Sequence, residues 1–190
     1  MLGKKSVYKV FLGLFVLSCV GTNVMLLRQN QELREYIFPD YSRLDLPEEG
    51  SRLTPFSASA LDGGRIVFSF EEPAADHIFL YFSPSCRFSQ EQLPFWRRLV
   101  EDNQHFQIVG LVPDDQDPAE VEALLQEHGI SGLRTVLISD SWRDRFKLNL
   151  SPMTLAVTPD GVVRKRWLGR WGFRSMQEAY DLAREGWPLF

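Results

Sequence analysis

The chain predicts an α/β fold, a central mixed sheet flanked by helices, carried behind an N-terminal transmembrane helix. Three observations carry that reading. Strand-like apolar runs alternate with helix-like amphipathic runs over most of the chain. The alternation closes in a hairpin and a final helix. The first thirty residues hold one long apolar segment preceded by lysines.

The elements follow in order. Lys4, Lys5 and Lys9 lie in residues 1–9, ahead of the apolar run "VFLGLFVLSCVGTNVMLL" over residues 10–27. Counted from Val7, the run has about the twenty residues a helix needs to cross a bilayer. Its only breaks are small or weakly polar, Ser18, Thr22 and Asn23. Basic residues on the N-terminal side predict a cytoplasmic N-terminus and an exported remainder. That places a single-pass protein in the bacterial inner membrane, its C-terminal domain in the periplasm. A lipoprotein cleavage at Cys19 in "VLSC" and a cleaved signal peptide are the rivals. Leu17 is bulky and the apolar run continues past Cys19, so the uncleaved anchor is the reading adopted. Residues 28–52 then read as a short juxtamembrane helix, "RQNQELREYI", and a proline-rich, acidic tether.

The folded domain is expected over residues 53–190. A Gly63-Gly64 turn joins two short extended runs as a hairpin. "HIFLYFS" is a continuous apolar run, as a central buried strand requires. "SQEQLPFWRRLVEDN" follows with helical spacing that puts Leu93, Trp96 and Leu99 on one face. "FQIVGLV" is a second buried strand. Asp117-Pro118 opens a helix that Gly129 ends. "RTVLISD" reads as a strand and "SWRDRFKL" as one or two helical turns. "MTLAVTPDGVVRKRWLG" is a hairpin turning at Pro159-Asp160-Gly161. "SMQEAYDLAREG" closes the chain as a helix capped by Ser175 and ended by Gly186.

The 190 residues carry a net charge of -4, and no basic patch points to nucleic acid. His77, His105 and His128 are far apart and Cys19 and Cys86 are the only cysteines, so no metal site and no cofactor is expected. Chemistry therefore rests on Cys86, in "YFSPSCRFSQEQLP", where the central strand gives way to a helix. Unpaired N–H groups at a helix start favour a thiolate placed there. The bland alternative is an inert buried thiol. The turn-like "SPS" before the cysteine and the polar "SQEQ" after it argue for a reactive one.

With Pro94 eight residues beyond Cys86 and "LSPMTLAVTPDGVV" at residues 150–163, the chain resembles the thioredoxin-like fold. The anchor and the "PDG" hairpin make it most similar to the membrane-tethered TlpA/ResA-like group of redoxins. The resemblance spans roughly residues 53–190. It implies a helix-kinking Pro94 and a cis-proline at Pro152, beside the active cysteine. It also implies that Ser151, Pro152 and Met153 form the segment whose backbone pairs with substrate peptide. The family's second cysteine aligns with Ser89, giving C-x-x-S in place of C-x-x-C. A serine hydroxyl can donate a hydrogen bond to a thiolate but cannot resolve a mixed disulfide. A glutamate common in the group is here Gln92, which does not titrate near neutral pH. Glu91 beside it is turned about 100° around the helix. Ser85 stands where thioredoxins carry tryptophan, and Arg87 flanks the thiol.

Three functions remain open at this point. One is monothiol thiol–disulfide exchange through Cys86, with thiols and disulfides of exported proteins as partners. A second is a non-catalytic binding or assembly module that holds an extended peptide near Cys86 and Pro152. A third is a one-cysteine peroxidase, for which the "SxxC" of Ser83 to Cys86 is a poor match.

Overall fold

The computed structural model describes residues 4–37, 41, 44–71 and 75–187, with side chains of the first helix described over residues 13–30. The chain divides into two compact units, residues 1–44 and residues 45–190. In the first, α1 (Lys4–Ile37) runs unbroken through the expected apolar run and the charged stretch after it. Its large apolar side chains from Leu14 to Leu27 are exposed. Among the described residues no helix is long and apolar enough to cross a membrane. The expected spanning run begins at Val10, and the side chains of residues 10–12, like those of Lys4, Lys5 and Lys9, lie outside the described residues.

The second unit is a seven-stranded mixed sheet. Its strands are β1 (Phe56–Ala60), β2 (Arg65–Phe68), β3 (His77–Tyr81), β4 (Gln107–Pro113), β5 (Thr135–Ile138), β6 (Met153–Val157) and β7 (Val163–Leu168). Their spatial order is β2-β1-β5-β4-β3-β6-β7. β3 runs parallel to β4 and antiparallel to β6, so its continuous apolar run is paired on both edges. The helices are α2 (Arg87–Asp102), α3 (Pro118–Glu127), the short α4 (Asp140–Arg145) and α5 (Phe173–Glu185).

Strand alternation assigns the two faces. Ile78, Leu80 and Phe82 meet Leu93, Trp96 and Leu99 of α2, Val121 and Leu125 of α3, and Ala179 and Ala183 of α5 in one core. On the other face Phe79 meets Phe56 and Phe68, and Phe56 meets Trp142 and Phe146 at the end of the chain segment carrying α4. The buried residues of α2 fall at Ser89, Gln92, Leu93, Trp96 and Leu99, a single helical stripe. Pro94 sits inside this helix and has no N–H to give the Gln90 carbonyl.

Local chemistry sets the ends. Asp117 caps α3, its Oδ1 accepting the Ala119 N–H at 2.9 Å, with Pro118 at the first helical position. Gly129 follows at φ +72°, where a side chain would be strained. The last helix differs from expectation. α5 is capped by Gly172 and starts at Phe173, so Ser175 lies inside its first turn instead of capping it. The Trp171 N–H is already bound to Gln92, and that bond fixes where the preceding loop can turn into helix.

Residues 45–52, read from the sequence as tether, lie along the last hairpin. Gly50 N–H donates to the Val163 carbonyl at 2.7 Å and Val163 N–H to the Ser51 carbonyl at 2.8 Å. Arg52 pairs with Asp160, Lys147 with Asp45, and Leu46 is buried. The segment thus pairs with the edge strand β7, which would otherwise present open hydrogen-bonding groups.

His77 is a buried titratable group of the second face. It stacks on Phe79 at 5.4 Å between ring centroids, with Phe68 and Phe70 edge-on at 6.0 and 6.1 Å. Burial pushes its pKa below the ordinary value of 6.5, against the opposing pull of the Ala75 carbonyl and Asp76. The unfolded chain therefore takes up this proton first, and stability falls as pH drops from about 6.5 towards the lower folded value. Urea melts at pH 7 and pH 5 should show a larger stability loss in the wild type than in His77→Gln. Equal losses in both would remove His77 as the cause.

Candidate functional site

The site forms where β3 ends. Tyr81 and Phe82 are buried, and the chain leaves the sheet through Ser83, Pro84 and Ser85. Cys86 N–H donates to the Ser83 carbonyl at 3.0 Å, closing a turn, and the Cys86 carbonyl accepts Gln90 N–H at 3.1 Å, the first bond of α2. Cys86 is thus the N-cap, with extended backbone at φ -85° and ψ 114°. Its side chain is partly exposed. The Gln90 side chain closes the same turn by donating to the Pro84 carbonyl at 2.8 Å.

The start of β6 approaches this corner from the other side. The Ser151–Pro152 peptide bond is cis. Cys86 Sγ donates to the Ser151 carbonyl at 3.5 Å. Ser151 Oγ accepts the Ser83 N–H at 3.0 Å and lies 2.7 Å from Ser89 Oγ. A longer contact of 3.4 Å joins the Ser83 N–H to Ser89 Oγ. Ser83 Oγ and Ser85 Oγ are 3.0 Å apart on the outer side of the turn. One thiol and four seryl hydroxyls therefore occupy the junction of β3, α2 and β6.

The expected site residues separate into groups. Cys86, Ser85, Ser89, Ser151 and Pro152 converge. Ser89 is fully buried, and its hydroxyl is bound to Ser151 rather than to the thiol. Met153 is fully buried, its backbone in register with Tyr81 on one side and Leu168 on the other. Pro94 is exposed two turns along α2. Arg87 is exposed and pairs with Glu91 at 2.8 Å.

Gln92 is buried and acts structurally. Its Oε1 accepts the Trp171 N–H at 2.8 Å, while its Nε2 has no hydrogen-bond partner among the described residues. Glu91 is held by Arg87 and by Arg170 at 3.0 Å. The Arg87 hydrogen bond, with the charges of Arg87 and Arg170, keeps its carboxyl below the ordinary carboxylate range. Glu91 is therefore anionic at neutral pH and committed to two guanidinium groups, which makes it a poor proton acceptor for the thiol. Arg170, Trp171 and the Ser83 N–H are additions to the expected site. The first two lie 79 residues from their partners, beyond any local spacing signal.

No protein-family model and no curated protein matches the chain in sequence. In three dimensions it has a thioredoxin-like fold. It is similar to a secreted Mycobacterium tuberculosis disulfide oxidoreductase homologous to E. coli DsbE, with 13% identity and a TM-score of 0.55 over 66% of this chain and 93% of that one. A thiol:disulfide interchange protein of the thioredoxin family from Chlorobium tepidum gives 15% identity and a TM-score of 0.56 over 72% and 98%. StoA from Bacillus subtilis gives 14% and 0.51 over 68% and 98%. At these identities the likeness establishes the fold.

Proposed function

We propose that this protein performs thiol–disulfide exchange through Cys86 alone, as a membrane-anchored domain facing the periplasm. The observation that carries the reading is the position of Cys86. A partly exposed thiol sits at the start of α2 against the Ser151-Pro152 segment, and the position one turn on holds a buried serine. Helix-start N–H groups favour the anionic sulfur that attacks. The Cys86 thiolate would displace one sulfur of a partner disulfide. A new S–S bond forms, the old one breaks, and the departing thiolate takes a proton from solvent. Ser89 cannot repeat that attack, so release falls to a second thiol from outside the chain. Neither Gln92 nor the arginine-bound Glu91 is suited to carry the proton, which leaves water for that role. The long α1, with its exposed apolar side chains from Leu14 to Leu27, supports the anchor. The named activities of structurally similar proteins support the exchange chemistry.

The test is capture of mixed disulfides by the full-length chain in cells, with rapid acid quenching. One or a few defined partners should be recovered in the membrane fraction and should react with a membrane-impermeant thiol reagent added from outside. Cys86→Ala should lose all of them. Recovery of no partner with Cys86 intact would sink the exchange reading and leave the binding module. Capture in the soluble fraction would sink the anchor.

A further inference from the structure

We infer that Ser151 is a positioning residue for Cys86: its hydroxyl holds the Ser89 hydroxyl to itself, withholding from the sulfur a buried hydroxyl one helical turn away that could stabilise the thiolate. This rests on Cys86 being the working thiol.

Residues 86 and 89 are one helical turn apart, which makes their side chains neighbours at the start of α2. A hydroxyl at position 89 would ordinarily be the first donor available to a thiolate at position 86. Here Ser89 Oγ is instead 2.7 Å from Ser151 Oγ, and both oxygens face the Ser83 N–H, at 3.4 and 3.0 Å. Whichever hydroxyl donates to the other, that contact fixes the Ser89 rotamer towards Ser151. Ser89 is fully buried, so solvent does not compete for it. The same residue also holds the thiol. The Ser151 carbonyl accepts from Cys86 Sγ at 3.5 Å, a bond open to S–H and lost when the proton leaves. Both groups of Ser151 therefore act in one direction, towards the protonated thiol. A partner that pairs with the Ser151 backbone would compete for that carbonyl.

The measurement is the pH dependence of iodoacetamide alkylation of Cys86 in the full chain, with Cys19→Ser as background. Ser151→Ala frees the Ser89 hydroxyl, and the alkylation midpoint should fall by about one pH unit, the size of one hydrogen bond to a charged group. Ser151→Ala with Ser89→Ala should return it to the wild-type value, and Ser151→Thr should keep that value because it keeps the hydroxyl. Ser89→Ala alone should leave the midpoint unmoved. No fall in Ser151→Ala, or a fall that survives in the double variant, would overturn the inference. If Ser151→Ala does not fold, Ser89→Ala decides: a rise of about one unit there means the hydroxyl already served the thiol. Alkylation reads the sulfur whether or not it meets a partner. A failed capture experiment with these shifts intact would therefore remove the exchange function and leave the positioning role standing.

Discussion

Ser89→Cys is expected to cut the yield of captured mixed disulfides about tenfold or more, because under the proposed exchange it supplies the second attack that Ser89 cannot make. Residue 89 lies one turn into α2 from Cys86 and beside the Ser151 hydroxyl. Sulfur is a weaker hydrogen-bonding atom than oxygen, so a thiol there is held less firmly by Ser151 and can turn to its neighbour. The introduced thiolate would attack the Cys86 sulfur of the mixed disulfide. An internal S–S bond forms between positions 86 and 89, the partner leaves as a thiolate, and solvent supplies its proton. A tethered thiol outcompetes a free one through its far higher effective concentration. Two readouts belong together: the yield of captured partners, and the loss of two hydrogens in the mass of the released chain. Undiminished capture with no internal disulfide would show that position 89 does not reach Cys86.

Trp96→Ala should destabilise the domain by about 3–5 kcal/mol, the range for truncating a large buried aromatic. Trp96 is fully buried in the core beneath α2 and meets the Phe82 ring edge-on at 5.8 Å. Its Nε1–H donates to Thr154 Oγ1 at 3.1 Å, and Thr154 is itself buried on β6. Truncation leaves a cavity and a hydroxyl with one partner fewer, so the loss should fall towards the upper end of the range. Domains of this size hold about 5–15 kcal/mol in all, so a large part of the stability goes. Trp96→Phe keeps most of the packing and should cost about 1–2 kcal/mol, chiefly through the hydrogen bond. Urea unfolding followed by circular dichroism measures both. A loss below about 1 kcal/mol in the alanine variant would mean that the core can collapse around the gap.

Both substitutions fall on α2, which one stripe of residues attaches to the sheet while its N-cap carries the thiol. Ser89 and Gln92 lie on that stripe with Leu93, Trp96 and Leu99. They look polar in the sequence and are core residues in the fold. Their polar groups are turned to neighbouring segments, Ser89 to Ser151 and Gln92 to the Trp171 N–H. Both positions are therefore structural contacts of α2.

Much of the architecture was legible because it rests on short-range chemistry. The fully buried β3, the amphipathic α2, the Asp117-Pro118 start of α3 and the Asp160-Gly161 turn each follow from neighbours a few residues apart. The resemblance located Cys86 and the Ser151-Pro152 segment on the same basis, as local motifs. Ser175 misled because a serine ahead of a helical run resembles a cap, whereas the Trp171 bond to α2 decides that the helix starts at Phe173. Residues 45–52 misled because prolines and acids read as tether, and their pairing with the last hairpin involves partners more than a hundred residues away.

The sequence by itself determined the alternation of strands and helices, the single domain thiol at a helix start, and the absence of a second cysteine one turn on. Periodicity, turn chemistry and residue identity act locally, and no folding is needed to read them. Only the tertiary structure decided which atoms the site residues meet. It turned the Ser89 hydroxyl to Ser151, set the thiol against the Ser151 carbonyl, and bound Glu91 and Gln92 to the loop before α5. Those outcomes depend on the approach of β6 and β7 to the start of α2, a matter of hydrogen bonds formed between residues that are distant in the chain.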